Sequence, residues 1–259
     1  MRSEYFYKAA LIKVLLQKKE IGSGDVVLNE LTIRGMTRRV DIVAVNGKLH
    51  AFEIKTDADS LSRVDGQVKD YLQHFDKVTV VCGASHYEKL KDRLPEHVGL
   101  WVLDERSGYS IRVMRRGRTK PVSNPEKLWT FIPRKEIERF LRKNRVRISG
   151  REYREVLCKI AKAELDKNKI RAFAISFAKQ RYGERWRKFL RKIESKQGNP
   201  DPEDIAILLW EKPKQSDADS NNKPSMPQEL PSWHEEDKPR PIPVAWAEAR
   251  IRNRQNLHR

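Results

Sequence analysis

The chain has 259 residues, enough for one large domain or two small ones. It carries 38% hydrophobic and 35% charged side chains and a formal charge of +18, a composition suited to a packed core with segments outside it. Its apolar runs fall far short of the roughly 20 residues of a membrane span. The first residues lack the apolar stretch of a secretory signal, and Cys82 and Cys158 alone make neither a disulfide framework nor a zinc site. These features lead us to expect a cytoplasmic protein with no membrane partner.

Residues 4–18 carry apolar positions at helical spacing (Leu11, Val14, Leu15) and predict a helix that stops at Gly22 and Gly24. Three strand-like runs follow: Asp25–Ile33, Arg39–Val45 and Lys48–Lys55. Asn46-Gly47, between the last two, is a strong signal for a two-residue hairpin. Ser60–Phe75 reads as a helix, Lys77–Cys82 as a buried strand, Tyr87–Arg93 as a short helix, and Val98–Leu103 and Tyr109–Arg115 as strands. The order α-βββ-α-β-α-β-β is that of an α/β domain with a mixed sheet, and we assign it residues 1–118.

Residues 119–210 read as a helical region, with helices over 125–144, 150–166 and 168–196 and a short one from Pro202. Nine of the 13 prolines lie between Pro200 and Pro243, so 211–259 is expected to be a disordered tail able to recruit a protein partner.

Charge divides the chain differently. Residues 1–110 hold 17 basic and 16 acidic side chains, whereas residues 111–196 hold 28 basic and 9 acidic ones. Such an excess repels itself unless an anion is near, and nucleic acid is the commonest such partner. Candidate phosphate contacts are Arg63, the basic loop with Arg115, Arg116 and Arg118, and the cluster Arg142, Lys143, Arg145 and Arg147. A solvated basic surface is the alternative. Tyr153, Tyr182 and Trp186 are candidates for base stacking or for the core.

Two acids stand inside apolar strands, Asp41 and Glu53, and a buried carboxylate is costly unless paired or metal-bound. A two-residue turn at Asn46-Gly47 sets Asp41 opposite residue 52, one step from Glu53. Lys55, two residues after Glu53, projects from the same face. Two carboxylates and a lysine suit a hard cation such as Mg²⁺ or Mn²⁺ and hydrolysis of a phosphodiester. A salt-bridged lysine beside two strand acids is the bland alternative.

Asp41 followed by Glu53-Ile54-Lys55 resembles the D…(D/E)xK signature of the PD-(D/E)XK nuclease superfamily. The α-βββ-α-β order resembles the core of that superfamily, and Gln67-Val68-Lys69-Asp70-Tyr71 resembles the QxxxY motif of its RecB-like branch. The likeness spans residues 1–110 and is nearest to an uncharacterised family of bacteria and phages. It implies a PD-(D/E)XK nuclease-like core, with Asp41, Glu53 and the Ile54 carbonyl as metal ligands and Lys55 as the catalytic lysine. Gln67 and Tyr71 would face the site, and Glu30 would add a carboxylate. Val40 stands where a proline often precedes the first acid. The expected function is a Mg²⁺-dependent nuclease acting on DNA, with RNA left open and a homodimer allowed. An inactive DNA-binding module and an interaction protein working through its tail are the alternatives.

Overall fold

The computed structural model describes residues 4–33, 38–104 and 110–209. The tail expected over 211–259 lies outside the described residues. Residues up to Leu209 form one compact unit.

Helix α1 (Glu4–Gln17) is buried from Tyr7 to Ile12 and again at Val14 and Leu15, so it is a core helix rather than a surface one. A six-stranded sheet follows the chain in order: β1 (Val26–Thr32), β2 (Arg39–Val45), β3 (Leu49–Lys55), β4 (Lys77–Gly83), β5 (Gly99–Asp104) and β6 (Ser110–Arg115). The β1–β2, β2–β3 and β5–β6 pairs are antiparallel, while β3–β4 and β4–β5 are parallel. Helix α2 (Val64–His74) makes the crossover from β3 to β4, and α3 (Tyr87–Lys91) the one from β4 to β5, as parallel neighbours require. All seven residues of β3 are buried, including His50, Glu53 and Lys55. This strand therefore carries polar groups into the middle of the sheet.

Helix α2 begins at Val64, later than the expected Ser60. Asp59 does not cap it, because its carboxylate closes a turn on the Thr56 amide (2.7 Å) and hydroxyl (2.8 Å). The helix expected over 125–144 is broken in two. A 3₁₀ turn spans Pro125–Trp129, and α4 (Arg134–Lys143) starts after Pro133. A proline ring disfavours helical geometry at the residue before it, here Ile132, and it lacks an N–H for the ladder. Helices α5 (Arg154–Glu164) and α6 (Lys167–Glu194) follow, and Asp166 caps α6 through the Asn168 amide (2.8 Å). A 3₁₀ segment, Pro202–Leu208, ends the described chain with a capping box of Asp201 and Asp204.

The regions expected as 1–118 and 119–210 pack into the same unit. Helix α6 lies against β1 and β2. Arg171 on this helix reaches Asp76 (2.7 Å from Nη2 to Oδ2), and Trp186 donates to the Gly22 carbonyl (2.9 Å). Asp76 is buried and also accepts from the Leu49 amide (2.7 Å) and the Val122 amide (3.0 Å). One carboxylate thus joins the β2–β3 hairpin, the chain after β6 and the long helix. Trp186 is fully buried and stacks on Phe189, so it belongs to the core and is unavailable to a base. Cys82 and Cys158 are buried thiols whose pKa values burial pushes up to about 12 and about 11. Among the described residues no helix is long and apolar enough to cross a membrane.

Candidate active site

Strand pairing puts the two strand acids together. Ile42 lies opposite Phe52 and Val43 opposite Ala51. One step further along that register, Asp41 falls opposite Glu53, and opposite residues of an antiparallel pair share a face. The two-residue turn expected at Asn46-Gly47 is instead a three-residue connection, Asn46 to Lys48. Val45 pairs with Leu49, and Gly47 takes a φ of 84° that suits glycine. The extra loop residue moves the register by one and brings Asp41 into line with Glu53 rather than with residue 52.

Glu53 is 1% exposed and held on every side. Its Oε1 accepts from Lys55 Nζ (2.7 Å) and from the Gln67 amide, and its Oε2 accepts from the Tyr71 hydroxyl (2.8 Å). Gln67 and Tyr71 stand one turn apart on α2, as the QxxxY spacing requires. The Tyr71 oxygen also lies 2.9 Å from the Arg39 carbonyl, a second acceptor within its reach. Burial and the Glu53 charge push the Tyr71 pKa well above the usual phenol range, so it stays a neutral donor.

Asp41 is half-buried, and its Oδ2 accepts from the Ile54 amide (2.7 Å). Burial and the charge on Glu53 push its carboxyl well above the usual carboxylate range, against the lowering effect of the Ile54 N–H. Beside it, Glu4, Glu30 and Asp41 each place a carboxylate oxygen within 4.8 Å of the others. Lys8 is completely buried and binds Glu30 as well as Glu4 (2.6 Å), and Arg39 also pairs with Glu30. Burial lowers the Lys8 pKa, but the bonds to Glu30 and Glu4 outweigh it, so the net shift is upward and Lys8 is an ammonium. Glu30 holds a φ of 61° within β1. A non-glycine residue in this region costs about 1–3 kcal/mol, and such strain gathers at functional sites.

The ligand set expected from the resemblance is therefore divided. Asp41 and Glu30 come together with Glu4, which sequence reasoning missed. Glu53 is engaged by Lys55, Gln67 and Tyr71, and Ile54 meets Asp41 through its amide. An all-oxygen donor set of three carboxylates fits a hard divalent cation, although Lys8 already sits among them. The signal for the missed pair was Glu4 and Lys8 themselves, an i,i+4 acid and base on a helix otherwise buried by apolar residues.

The expected phosphate contacts differ in their freedom. Arg115 is spent within the fold: its guanidinium donates to the carbonyls of Val98 (2.8 Å), Lys91 (3.2 Å) and Leu94 (3.3 Å). Arg142 is exposed but pairs with Glu138 (3.0 Å). Arg63, Arg116, Arg118, Lys143, Arg145 and Arg147 are exposed, and Arg145 has a φ of 60°. Tyr153 is also exposed (69%).

Comparison with known proteins supplies relatives. A solved structure, a protein of unknown function from Silicibacter pomeroyi, aligns with a TM-score of 0.38 at 19% identity, over 56% of this chain and 92% of that one. Protein cII of Enterobacteria phage P4 is 32% identical over 191 residues, 73% of this chain and 72% of that protein. The family described as Bacteriophage P4 protein cII matches residues 1–209, the same residues as the compact unit. The chain belongs to the bacteriophage P4 protein cII family.

Proposed function

We propose that the chain is a metal-dependent nuclease of the PD-(D/E)XK type, acting on DNA. The observation that carries this reading is the meeting of Asp41 and Glu53 on neighbouring strands, with Lys55, Gln67 and Tyr71 bonded to Glu53. All five residues of the two motifs converge on one place although they come from β2, β3 and α2. A salt bridge alone would need neither Gln67 nor Tyr71.

Asp41, with Glu4 and Glu30 beside it, would hold the cation. Bound Mg²⁺ or Mn²⁺ supplies a water of lowered pKa and neutralises phosphate charge. Gln67 and Tyr71 fix the Glu53 carboxylate, and Glu53 in turn fixes the Lys55 ammonium. From there Lys55 can donate to a phosphate oxygen as negative charge grows on it. The basic stretch 111–196 would add affinity without sequence choice.

One observation favours a second reading, a binding module without catalysis. Lys8 and Arg39 together already neutralise Glu4 and Glu30, which lessens their need for a metal. Incubating the pure protein with supercoiled plasmid in Mg²⁺, Mn²⁺ or EDTA separates the two. Cleavage that requires metal and is lost in Lys55→Ala is the expected result. Binding without cleavage in any metal would leave only the module.

A further inference from the structure

At the other end of the same strands the charge reverses. The end of α1, the β2–β3 connection, the start of β4 and the chain after β6 close around a cleft of about 760 Å³. Its walls carry Lys18, Lys19, Lys48, Lys77 and Arg116. Lys48 is five residues from Glu53 along β3, about 16 Å at the rise of an extended strand. The cleft is thus separate from the carboxylate cluster.

Among the described residues, none of these five cations makes an ion pair. Two acids also line the cleft, but Asp25 is taken by Lys179 (3.2 Å) and by the Gly22 amide (2.9 Å), which leaves Glu20 facing five positive charges. Lys48 and Lys77 are half-buried, so water screens them less than it screens a surface lysine. Burial pulls the Lys77 pKa down against the opposing pull of Glu20, and the charges on Lys48 and Arg116 add to the lowering. Trp101, 1% exposed, forms part of the cleft wall.

We infer that this cleft is a phosphate-binding site for a nucleic-acid backbone. Four segments far apart in sequence converge to build it, and their cations are free. The ligand must bring several negative charges at once, as successive phosphodiesters do. The inference does not depend on the carboxylate cluster being hydrolytic.

The test measures binding of the full chain in EDTA, where cleavage plays no part. Fluorescence anisotropy reads a labelled 20-base-pair DNA duplex and a single-stranded RNA across a salt series. Two variants are compared with the parent: Lys48→Gln with Lys77→Gln, and Lys18→Gln with Lys19→Gln and Arg116→Gln. The second removes only exposed side chains, so its fold is safe, and a melting temperature equal to or above the parent's verifies both. A control neutralises three cations that sit in surface ion pairs, Lys91, Arg139 and Lys162. Each cleft variant should bind at least about tenfold more weakly than the control. Its slope of log affinity against log salt should fall by about 0.9 for each duplex phosphate no longer neutralised, or about 0.7 on the single strand. Weaker binding to either nucleic acid supports the site and says which backbone it takes. Affinities and slopes equal to the control's on both would overturn it. So would a cleft that loses inorganic phosphate or ATP in calorimetry while nucleic-acid binding stays intact, since it would then serve small anions.

Discussion

Ionised Asp41 works against the fold when no metal is bound. Its pKa is raised in the folded chain by burial and by Glu53. A group raised in this way contributes stability that is fully present below its unfolded pKa and is lost as pH rises through the folded one. Asparagine at this position keeps an oxygen for the Ile54 amide but carries no charge. Asp41→Asn should therefore melt higher than the parent at neutral pH in EDTA, by about 2–4 °C, the worth of roughly 1 kcal/mol in a unit of this size. The gain should vanish in acid, where the parent aspartate is already neutral. Circular dichroism melts at both pH values check this, and a variant that melts lower at neutral pH would show that the charge is paired. The two acids and the lysine were legible in the sequence because charged groups inside apolar strands are anomalous. Glu4 and Lys8 gave only a faint signal, since a helical acid–base pair at i,i+4 usually lies in solvent and tertiary burial is what makes this one unusual.

Elements carry their own anchors. Asp76, between α2 and β4, is the acceptor on which the hairpin, the chain after β6 and α6 depend. Its side chain is fully buried, whereas Arg171 keeps 19% of its side-chain surface. Removing one partner of a buried pair leaves the other charge uncompensated and costs about 3–5 kcal/mol. Asp76→Ala also strands the Leu49 and Val122 amides, so we expect a loss at the upper end of that range, read as a lowered urea midpoint. A change under about 1 kcal/mol would mean that α6 is held by its apolar contacts and its other polar bonds, such as that of Trp186 to the Gly22 carbonyl, without need of Asp76. Asp76 carried no signal in the sequence, where it is one acid between a helix and a strand. Strand identities were readable from apolar runs, and the order of the first six elements with them. Loop length was not: Asn-Gly allows two-residue and three-residue connections, and only packing chose the one that aligns Asp41 with Glu53. Pro133 was readable in principle, but the apolar spacing from Leu128 to Leu141 masked the break it imposes.

Across the whole molecule, charge counted along the chain and charge arranged in space give different maps. Residues 1–110 are nearly neutral in sum, yet they supply four of the five cations of the cleft. The excess within 111–196 is partly internal: Arg115 and Arg171 are bound to carbonyls or to Asp76. Nucleic-acid affinity should therefore depend on the free cations rather than on the basic segment as such. Charge reversal of Lys143, Arg145 and Arg147, all exposed, should weaken duplex binding and flatten its salt slope. Arg142→Glu should do less than any of them, because Glu138 already occupies that guanidinium. Removing residues 210–259 takes away 9 of the 54 basic side chains together with 8 of the 36 acidic ones. What remains, 1–209, is both the compact unit and the stretch that matches the cII family. That truncated chain should keep the melting temperature, the duplex affinity and the salt slope of the full protein. A fall in affinity without a fall in melting temperature would assign nucleic-acid contacts to the tail, while a fall in both would make the tail part of the fold.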